Sequence, residues 1–149
     1  MRSFLISNWS LIINDRASQD GGSLNGWELE IVTDESSVNL GPFIFRNQNQ
    51  HAISASGPNS IESQINVHGL DGVVIDDLCV SLDIDHTFTR DLKISLVSPG
   101  DTEVVLVENE GGDGNNFRDT NFDDGSSTPI AGASAPFTGT FQSEEPLAQ

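Results

Sequence analysis

Hydrophobic and polar positions alternate along most of this chain with the period of a β-strand. Trp9, Leu11 and Ile13 share one face of the first such stretch. Trp27 and Leu29 share one face of the second. Because alternate residues of a strand point to the same side, each stretch predicts a strand with one apolar face. The same reasoning predicts further strands at residues 43–45, 61–67, 73–88, 92–96, 104–107 and 138–141.

The pattern contains no convincing apolar stripe of the kind that predicts an amphipathic helix. Eight or so short strands, separated by turns rich in Gly, Asn and Asp, are typical of an all-β sandwich or barrel. Pro99-Gly100-Asp101 predicts a hairpin turn between the strands at 92–96 and 104–107. A long loop is predicted at 109–136, and a loop of that length in a compact domain usually has a function or binds an ion.

Length and charge limit the classes of partner. The 149 residues predict one domain, residues 1–149. There are 23 acidic residues against 6 Lys and Arg, a net charge of −17. This balance argues against nucleic acid and anionic membrane as partners, because neutralising phosphates requires clustered Lys and Arg. It favours solubility, divalent cations or cationic partners, and no apolar run is long enough to predict a transmembrane helix.

Two residues with reactive side chains are predicted to be structural. Cys79 is the one cysteine, so an intramolecular disulfide is impossible. Alternation puts it on the more polar face of its strand, and no triad pattern accompanies it. His86 is in phase with Leu82 and Ile84 on the apolar face of the same strand. This position predicts a buried histidine with satisfied hydrogen bonds rather than a catalytic one.

The loop predicted at 109–136 is rich in the oxygen ligands that Ca²⁺ prefers, about six to eight of them per ion. Asp119-x-Asn121-x-Asp123 copies the first three ligand positions of an EF-hand, but Asp124 and Ile130 stand where that motif requires Gly and Glu. The alternative is an ordinary acidic loop whose side chains cap their own backbone. The candidate calcium ligands in this loop are Asp113, Asn116, Asp119, Asn121, Asp123 and Asp124.

Several linked motifs point to one family. A strand from Val80 leads into His86-Thr87-Phe88, and a later strand ends in Ser98-Pro99 before a Gly-containing turn. Together with the three motifs below, these elements resemble, in order, those of a P domain. That domain is the β-sandwich that follows the catalytic domain in kexin- and furin-like proprotein convertases and in many bacterial subtilisin-like proteases. The chain departs from the family pattern at Phe88, where Tyr is usual, and at Arg90, where Gly is usual. The further similar motifs are Thr120-Asn121-Phe122-Asp123-Asp124, Pro136-Phe137-Thr138-Gly139-Thr140-Phe141 and Glu145-Pro146-Leu147.

The order of the resembling parts differs from that of the family. Residues 1–33 resemble the C-terminal part of a P domain, residues 34–40 resemble an acidic linker, and residues 41–149 resemble the N-terminal and middle parts. The chain therefore resembles either a circularly permuted P domain or a window cut across two tandem copies. In the second case residues 1–33 either complete their own chain's sandwich or exchange strands with another copy.

The resemblance implies a jelly-roll-like antiparallel β-sandwich of about eight strands. It also implies a non-catalytic accessory module, secreted or at the cell surface, that packs on and stabilises a subtilisin-like serine protease or links neighbouring extracellular domains. The resemblance thus implies that this chain is not itself an enzyme. It includes the case in which the chain is a non-catalytic piece of a serine endopeptidase of the proprotein convertase type. The resemblance places Asp91 beside the acidic loop as a seventh calcium ligand. The alternative function is a calcium-dependent adhesion or ligand-binding module.

Overall fold

The computed structural model describes residues 7–17, 21–33, 42–56, 58–69 and 75–147. The predicted linker at 34–40 lies outside these residues, as does the start of the chain. The elements in chain order are β1 Ser7–Asp15, β2 Gly22–Thr33, β3 Phe43–Asn47, β4 His51–Ile53, β5 Asn59–Val67, β6 Ile75–His86, a 3₁₀ turn Thr89–Asp91, β7 Leu92–Val97, β8 Glu103–Glu108, β9 Phe117–Asp123 and β10 Gly139–Phe141.

The strands form two sheets that pack into a β-sandwich, which confirms the predicted fold class. The smaller sheet has the order β5-β1-β7-β8. The larger has the order β10-β9-β6-β2-β3, with β4 also paired to β2. Neighbouring strands are antiparallel except for the parallel pair β9 and β10. The chain crosses between the sheets five times along its length, as a jelly-roll-like sandwich requires.

All eight predicted strands are present, and two further strands were not predicted. The hairpin at Pro99-Gly100-Asp101 joins β7 to β8, with Asp101 in the left-handed region at φ 65°. Asp tolerates this conformation better than most residues. The unpredicted strands are β4 and β9. The prediction of one continuous loop at 109–136 is therefore wrong, since β9 lies inside it.

The core lies between the sheets and is built by the alternation seen in the sequence. From the smaller sheet, Trp9 and Leu11 point inward, and from the larger sheet Leu29 and Ile84 meet them in one apolar cluster. Burial of each such side chain contributes about 1.5–3 kcal/mol to the free energy of folding. The apolar alternation is thus the main reason why these residues form strands with a defined inward face.

Strands β1 and β2 occupy interior positions of the two sheets. β1 pairs along its whole length with β5 and over residues 10–15 with β7. β2 lies between β6 on one side and β3 and β4 on the other. Strands β1 and β2 therefore fill interior positions in the sandwich of the same chain.

No helix among the described residues has the length and apolar character needed to cross a membrane.

Candidate functional site

Most of the predicted calcium ligands lie on or beside β9. Phe117, Thr120 and Phe122 of this strand are buried against the core. Asn121 and Asp123 alternate with them and point away from the core. Side chains on one face of a strand are separated by about 7 Å along it. The EF-hand-like spacing is therefore strand alternation, which spreads the ligands out instead of wrapping them around one ion.

At the start of β9 the predicted ligands lie in turns. Asn116 has a left-handed backbone at φ 75°, and its Oδ1 accepts a hydrogen bond of 2.9 Å from the His86 amide. Asp113 is exposed in the preceding turn. Asp91 ends the 3₁₀ turn, which is joined to the turn of Asp113 by two backbone hydrogen bonds. The structure thus brings Asp91, Asp113 and Asn116 to one end of the large sheet.

At the other end of β9, two carboxylates accept hydrogen bonds from nearby amides. Asp123 Oδ1 accepts one of 2.9 Å from Gly125, and Asp124 Oδ1 accepts one of 2.9 Å from Leu147. The bond from Gly125 matches the alternative interpretation, in which acidic side chains cap their own backbone. The bond from Leu147 instead joins this end of β9 to a segment 23 residues further along the chain.

Asp77, Cys79 and Asp123 form a compact group of possible ligands at this end. One ligand atom from each lies within 4.8 Å of the others. Desolvation, followed by the charge of Asp123, raises the pKa of Asp77. Desolvation, then Asp123 and Asp77, raise the pKa of the Cys79 thiol to about 12. The thiol stays protonated at neutral pH, which makes it a poor nucleophile and suits the structural role predicted for it.

The seven predicted calcium ligands do not meet at one point. Asn116 and Asp123 are seven residues apart across an extended strand, which corresponds to about 20 Å. Asp119 and Asn121 lie between these two ends. A single site with about six to eight ligands cannot be formed from this set. Calcium binding itself stays a prediction. Among the described residues, the carboxylates of Asp77 and Asp123 lie in one compact group, and Asp124 is close enough for its charge to raise the pKa of Asp77.

His86 is buried with both ring nitrogens engaged, as its predicted structural role requires. The Phe88 amide donates to Nδ1 at 3.1 Å, so the ring proton is on Nε2. Nε2 donates to Asp15 Oδ2 at 3.0 Å, and neither side chain is exposed to solvent. Asp15 belongs to β1 and His86 to β6. This pair therefore ties the first strand of the chain to the centre of the opposite sheet.

A second buried hydrogen bond joins the early strands to the rest of the sandwich. Trp27 Nε1 donates to Ser63 Oγ at 2.9 Å, from β2 to β5 across the core. A buried polar group without a partner costs about 1–3 kcal/mol, so both contacts favour one arrangement of these strands.

The family model of the proprotein convertase P-domain matches residues 75–142. The resemblance to the P domain is confirmed over this segment. The segment begins with β6 and continues past β10. No match was found among curated proteins or among solved structures. P domains are non-catalytic accessory domains. In this chain the interior strands β1 and β2 lie outside the matched segment, and they complete the two sheets to which its strands belong.

The P-domain segment and β2 together form a groove on the outer face of the larger sheet. Its volume is about 840 Å³, and it crosses β9, β6 and β2 to reach the connection between β3 and β4. The side chains that line it are mainly amides and charged groups. They include Asn25, Glu28, Arg46, Gln48, Asp119 and Asn121.

Two β-bulges shape the middle of this groove. Asn25 is an extra residue of β2, because Leu24 pairs with Ile84 and Gly26 with Asp83. Arg118 and Asp119 both lie opposite Asp83, since the pairing of β6 with β9 shifts there. Bulges of this kind redirect side chains and are common beside functional sites.

Hydrogen bonds hold several groove side chains in place. Asn25 Nδ2 donates to Asp85 at 3.1 Å, and Asn25 Oδ1 accepts from Gln50 at 3.1 Å. The bond from Asn25, and then the contact with Arg118, lower the pKa of Asp85. Arg46 pairs with Glu28 across the groove wall. These contacts give the polar surface a defined geometry.

This surface was not predicted from the sequence, although one signal for it exists there. The apolar positions Leu24, Trp27 and Leu29 are separated first by three residues and then by two. A strict strand period would not allow the first gap, so the irregularity marks the bulge at Asn25. Gln48 comes from the connection after β3 and Asp119 from β9, so their contributions to the groove have no local signal.

Proposed function

We propose that this protein is a non-catalytic accessory module of the P-domain type that packs on a secreted subtilisin-like serine protease and stabilises it. The observation that carries the proposal is the match of residues 75–142 to the proprotein convertase P-domain. The same module would also serve as a link between domains of an extracellular multidomain protein. A secreted or cell-surface location follows from either form of the proposal.

Packing on a protease domain would use apolar burial supported by charge. Ile44 on edge strand β3 is 46% exposed, and Phe43 and Phe45 beside it are partly buried. Covering apolar surface contributes about 25 cal/mol per Å² towards a complex, against which stands the entropy cost of association. The net charge of −17 would steer the module towards a basic surface of its partner. We therefore expect the contact to include β3.

Protease stabilisation can be tested with subtilisin-like catalytic domains that are expressed without their own P domains. The purified chain is added, and the melting temperature and the half-life of peptidase activity are measured. We expect both to rise for at least one catalytic domain and to depend on the concentration of added chain.

Two matched variants test where the contact lies. Ile44→Asp adds a charge to edge strand β3, and Ser60→Asp adds the same charge to the exposed edge strand β5 of the other sheet. Ile44→Asp is expected to remove the stabilisation and Ser60→Asp to retain it. Failure to stabilise any catalytic domain would contradict the packing proposal, and equal loss in both variants would contradict the assignment to β3.

We further infer that the chain completes its own sandwich with residues 7–33, as a circularly permuted P domain would. The interior positions of β1 and β2 and the buried contacts of Asp15 and Trp27 support this arrangement. The alternative is that these strands are exchanged between copies, in which case folding would depend on protein concentration.

A second candidate function is ligand binding by a β-sandwich module. The polar groove on the larger sheet favours it, because its volume lies within the range of about 300–1,000 Å³ that is usual for ligand sites. The groove supports ligand binding but gives no support for a dependence of that binding on calcium.

A further inference from the structure

We propose that the groove on the outer face of the larger sheet binds a neutral oligosaccharide. The proposal rests on the second candidate function, ligand binding, and names the class of ligand. It is independent of packing on a protease. It depends on the position, the shape and the chemistry of the groove.

The groove is long enough for an extended ligand. It crosses from β9 through β6 and β2 to β3. Three strand spacings of about 4.8 Å give it a span of about 14 Å. With a volume of about 840 Å³, it accommodates several linked sugar rings rather than a single small molecule.

The lining supplies hydrogen-bond donors and acceptors side by side. The amides of Gln48 and Asn121 each offer both, and the carboxylate of Asp119 accepts. The amide of Asn25 is already fully engaged by its neighbours in the groove. Sugar hydroxyls donate and accept in the same way, so pairs of hydroxyls can be matched by one amide or carboxylate. The prior hydrogen bonds of Asn25 and Asn121 to their neighbours hold these groups in position, which lowers the entropy cost of binding.

The charges of the groove argue against an anionic ligand. Glu28 is paired with Arg46, and Asp83 lies 3.9 Å from the Arg118 guanidinium. Asp119 adds negative charge, and the chain as a whole carries −17. Phosphorylated or sulfated ligands would therefore be repelled.

A peptide is a less suitable occupant of this surface. Extended peptides commonly bind by adding a strand to an exposed sheet edge through main-chain hydrogen bonds. The groove lies on the face of the sheet, where the main chains of β9, β6 and β2 are already paired with each other. Side chains alone would have to hold the ligand, as they do for hydroxyl groups.

The test uses the whole chain and two Asp→Gly variants. Asp119 and Asp101 are both exposed and both have left-handed backbone, at φ 50° and φ 65°. Glycine adopts this conformation without strain, so neither variant should unfold. Asp119→Gly removes a groove carboxylate, whereas Asp101→Gly removes one from the turn between β7 and β8, away from the groove.

Native gel electrophoresis is run in gels that contain xyloglucan, glucomannan, dextran or the anionic control heparin. We expect at least one neutral polysaccharide to slow the unmodified chain and Asp101→Gly, and heparin to slow neither. Titration calorimetry with an oligosaccharide of the retarding polymer should show that Asp119→Gly weakens binding by about tenfold, the equivalent of one lost hydrogen bond to a charged group. Gln48→Ala provides a second groove variant with the same expected direction.

Three results would overturn the proposal: no retardation by any of the neutral polymers, equal affinity of Asp119→Gly and Asp101→Gly, or retardation by heparin alone. Ile44→Asp should leave sugar binding unchanged, and Asp119→Gly should leave protease stabilisation unchanged. A failure of the groove proposal is therefore distinguishable from a failure of the packing proposal.

Discussion

Asp15 and His86 form a buried ionisable pair whose members are 71 residues apart in the chain. Neither could be paired with the other from the sequence. The alternation around His86 predicts only that its ring is buried, and Asp15 stands at the end of a strand pattern where an exposed turn residue is equally expected. Partners of this kind are set by the sheet packing, which brings β1 and β6 face to face.

Removing the carboxylate of this pair is expected to destabilise the fold. Asp15→Ala leaves Nε2 of His86 buried without an acceptor, so the free energy of unfolding should fall by about 2–4 kcal/mol. Asp15→Asn keeps an acceptor oxygen and should cost less. The measurement is urea unfolding followed by tryptophan fluorescence, with the exposed Asp76→Ala as control. Equal effects of Asp15→Ala and Asp76→Ala would show that the pair does not stabilise the structure.

Glu144 should make stability depend on pH. Desolvation, then a hydrogen bond with Glu110 and its charge, raise the pKa of Glu144 from 4.5 to about 7. Because the folded state holds this proton more tightly than the unfolded state, stability should fall as pH rises from about 4.5 to about 7. Glu144→Gln removes this loss, so its melting temperature should exceed that of the unmodified chain at pH 8 and equal it at pH 4.

Thermal unfolding between pH 4 and pH 8 checks this prediction. Glu103→Gln, which removes an exposed carboxylate from β8, is the control for the general effect of one less negative charge. Parallel pH profiles for Glu144→Gln and Glu103→Gln would contradict the special role of Glu144.

Strand β2 has a glycine where its neighbour in the same sheet, β6, comes very close. A Cβ at Gly22 would lie 1.7 Å from the Asp85 carbonyl oxygen, so the backbones of β2 and β6 would have to separate. At Gly26 the nearest atom would be 3.3 Å away, which a small shift can accommodate. Gly22→Ala is therefore expected to lower the free energy of unfolding by about 2 kcal/mol or more, and Gly26→Ala by much less. Chemical unfolding of both variants tests this, and similar losses would contradict the close approach of β2 to β6.

Strands with a regular apolar face were predictable, whereas the three-residue strand β4 and the bulged strand β9 were not predicted. The alternation in β1, β6 and β7 continues through the strand, so their existence and inward face followed from the sequence. In β9 the one extra residue opposite Asp83 breaks the period between Phe117 and Thr120, and the acidic composition suggested a loop. The consequence was a predicted calcium loop where the chain forms a strand.

The groove could not be predicted, because no single element contains it. Asn25 comes from β2, Gln48 from the connection after β3, and Asp119 from β9. Their proximity depends on the order of strands in the larger sheet, which local periodicity does not determine.

Across the whole molecule, the excess of negative charge favours cation binding. The sequence predicts a calcium site, and among the described residues Asp77 and Asp123 lie in one compact group with the charge of Asp124 nearby. Calcium at about ten times its dissociation constant should raise the melting temperature by a few degrees relative to EDTA. Asp123→Ala combined with Asp124→Ala should abolish this rise. A rise that persists in the double variant would place the ion elsewhere, and no rise in the unmodified chain would contradict the calcium prediction.

The central claim is that β1 and β2 complete, within one chain, the sandwich that contains the segment matched by the proprotein convertase P-domain model, residues 75–142. Native-state hydrogen exchange of the monomer tests it most directly, measured by NMR at two protein concentrations. The account predicts that the interior amides of β1 and β2 exchange only through global unfolding, with the same free energy as those of β6, at both concentrations. Faster exchange in β1 and β2 than in β6, or protection that appears only at the higher concentration, would contradict completion within one chain.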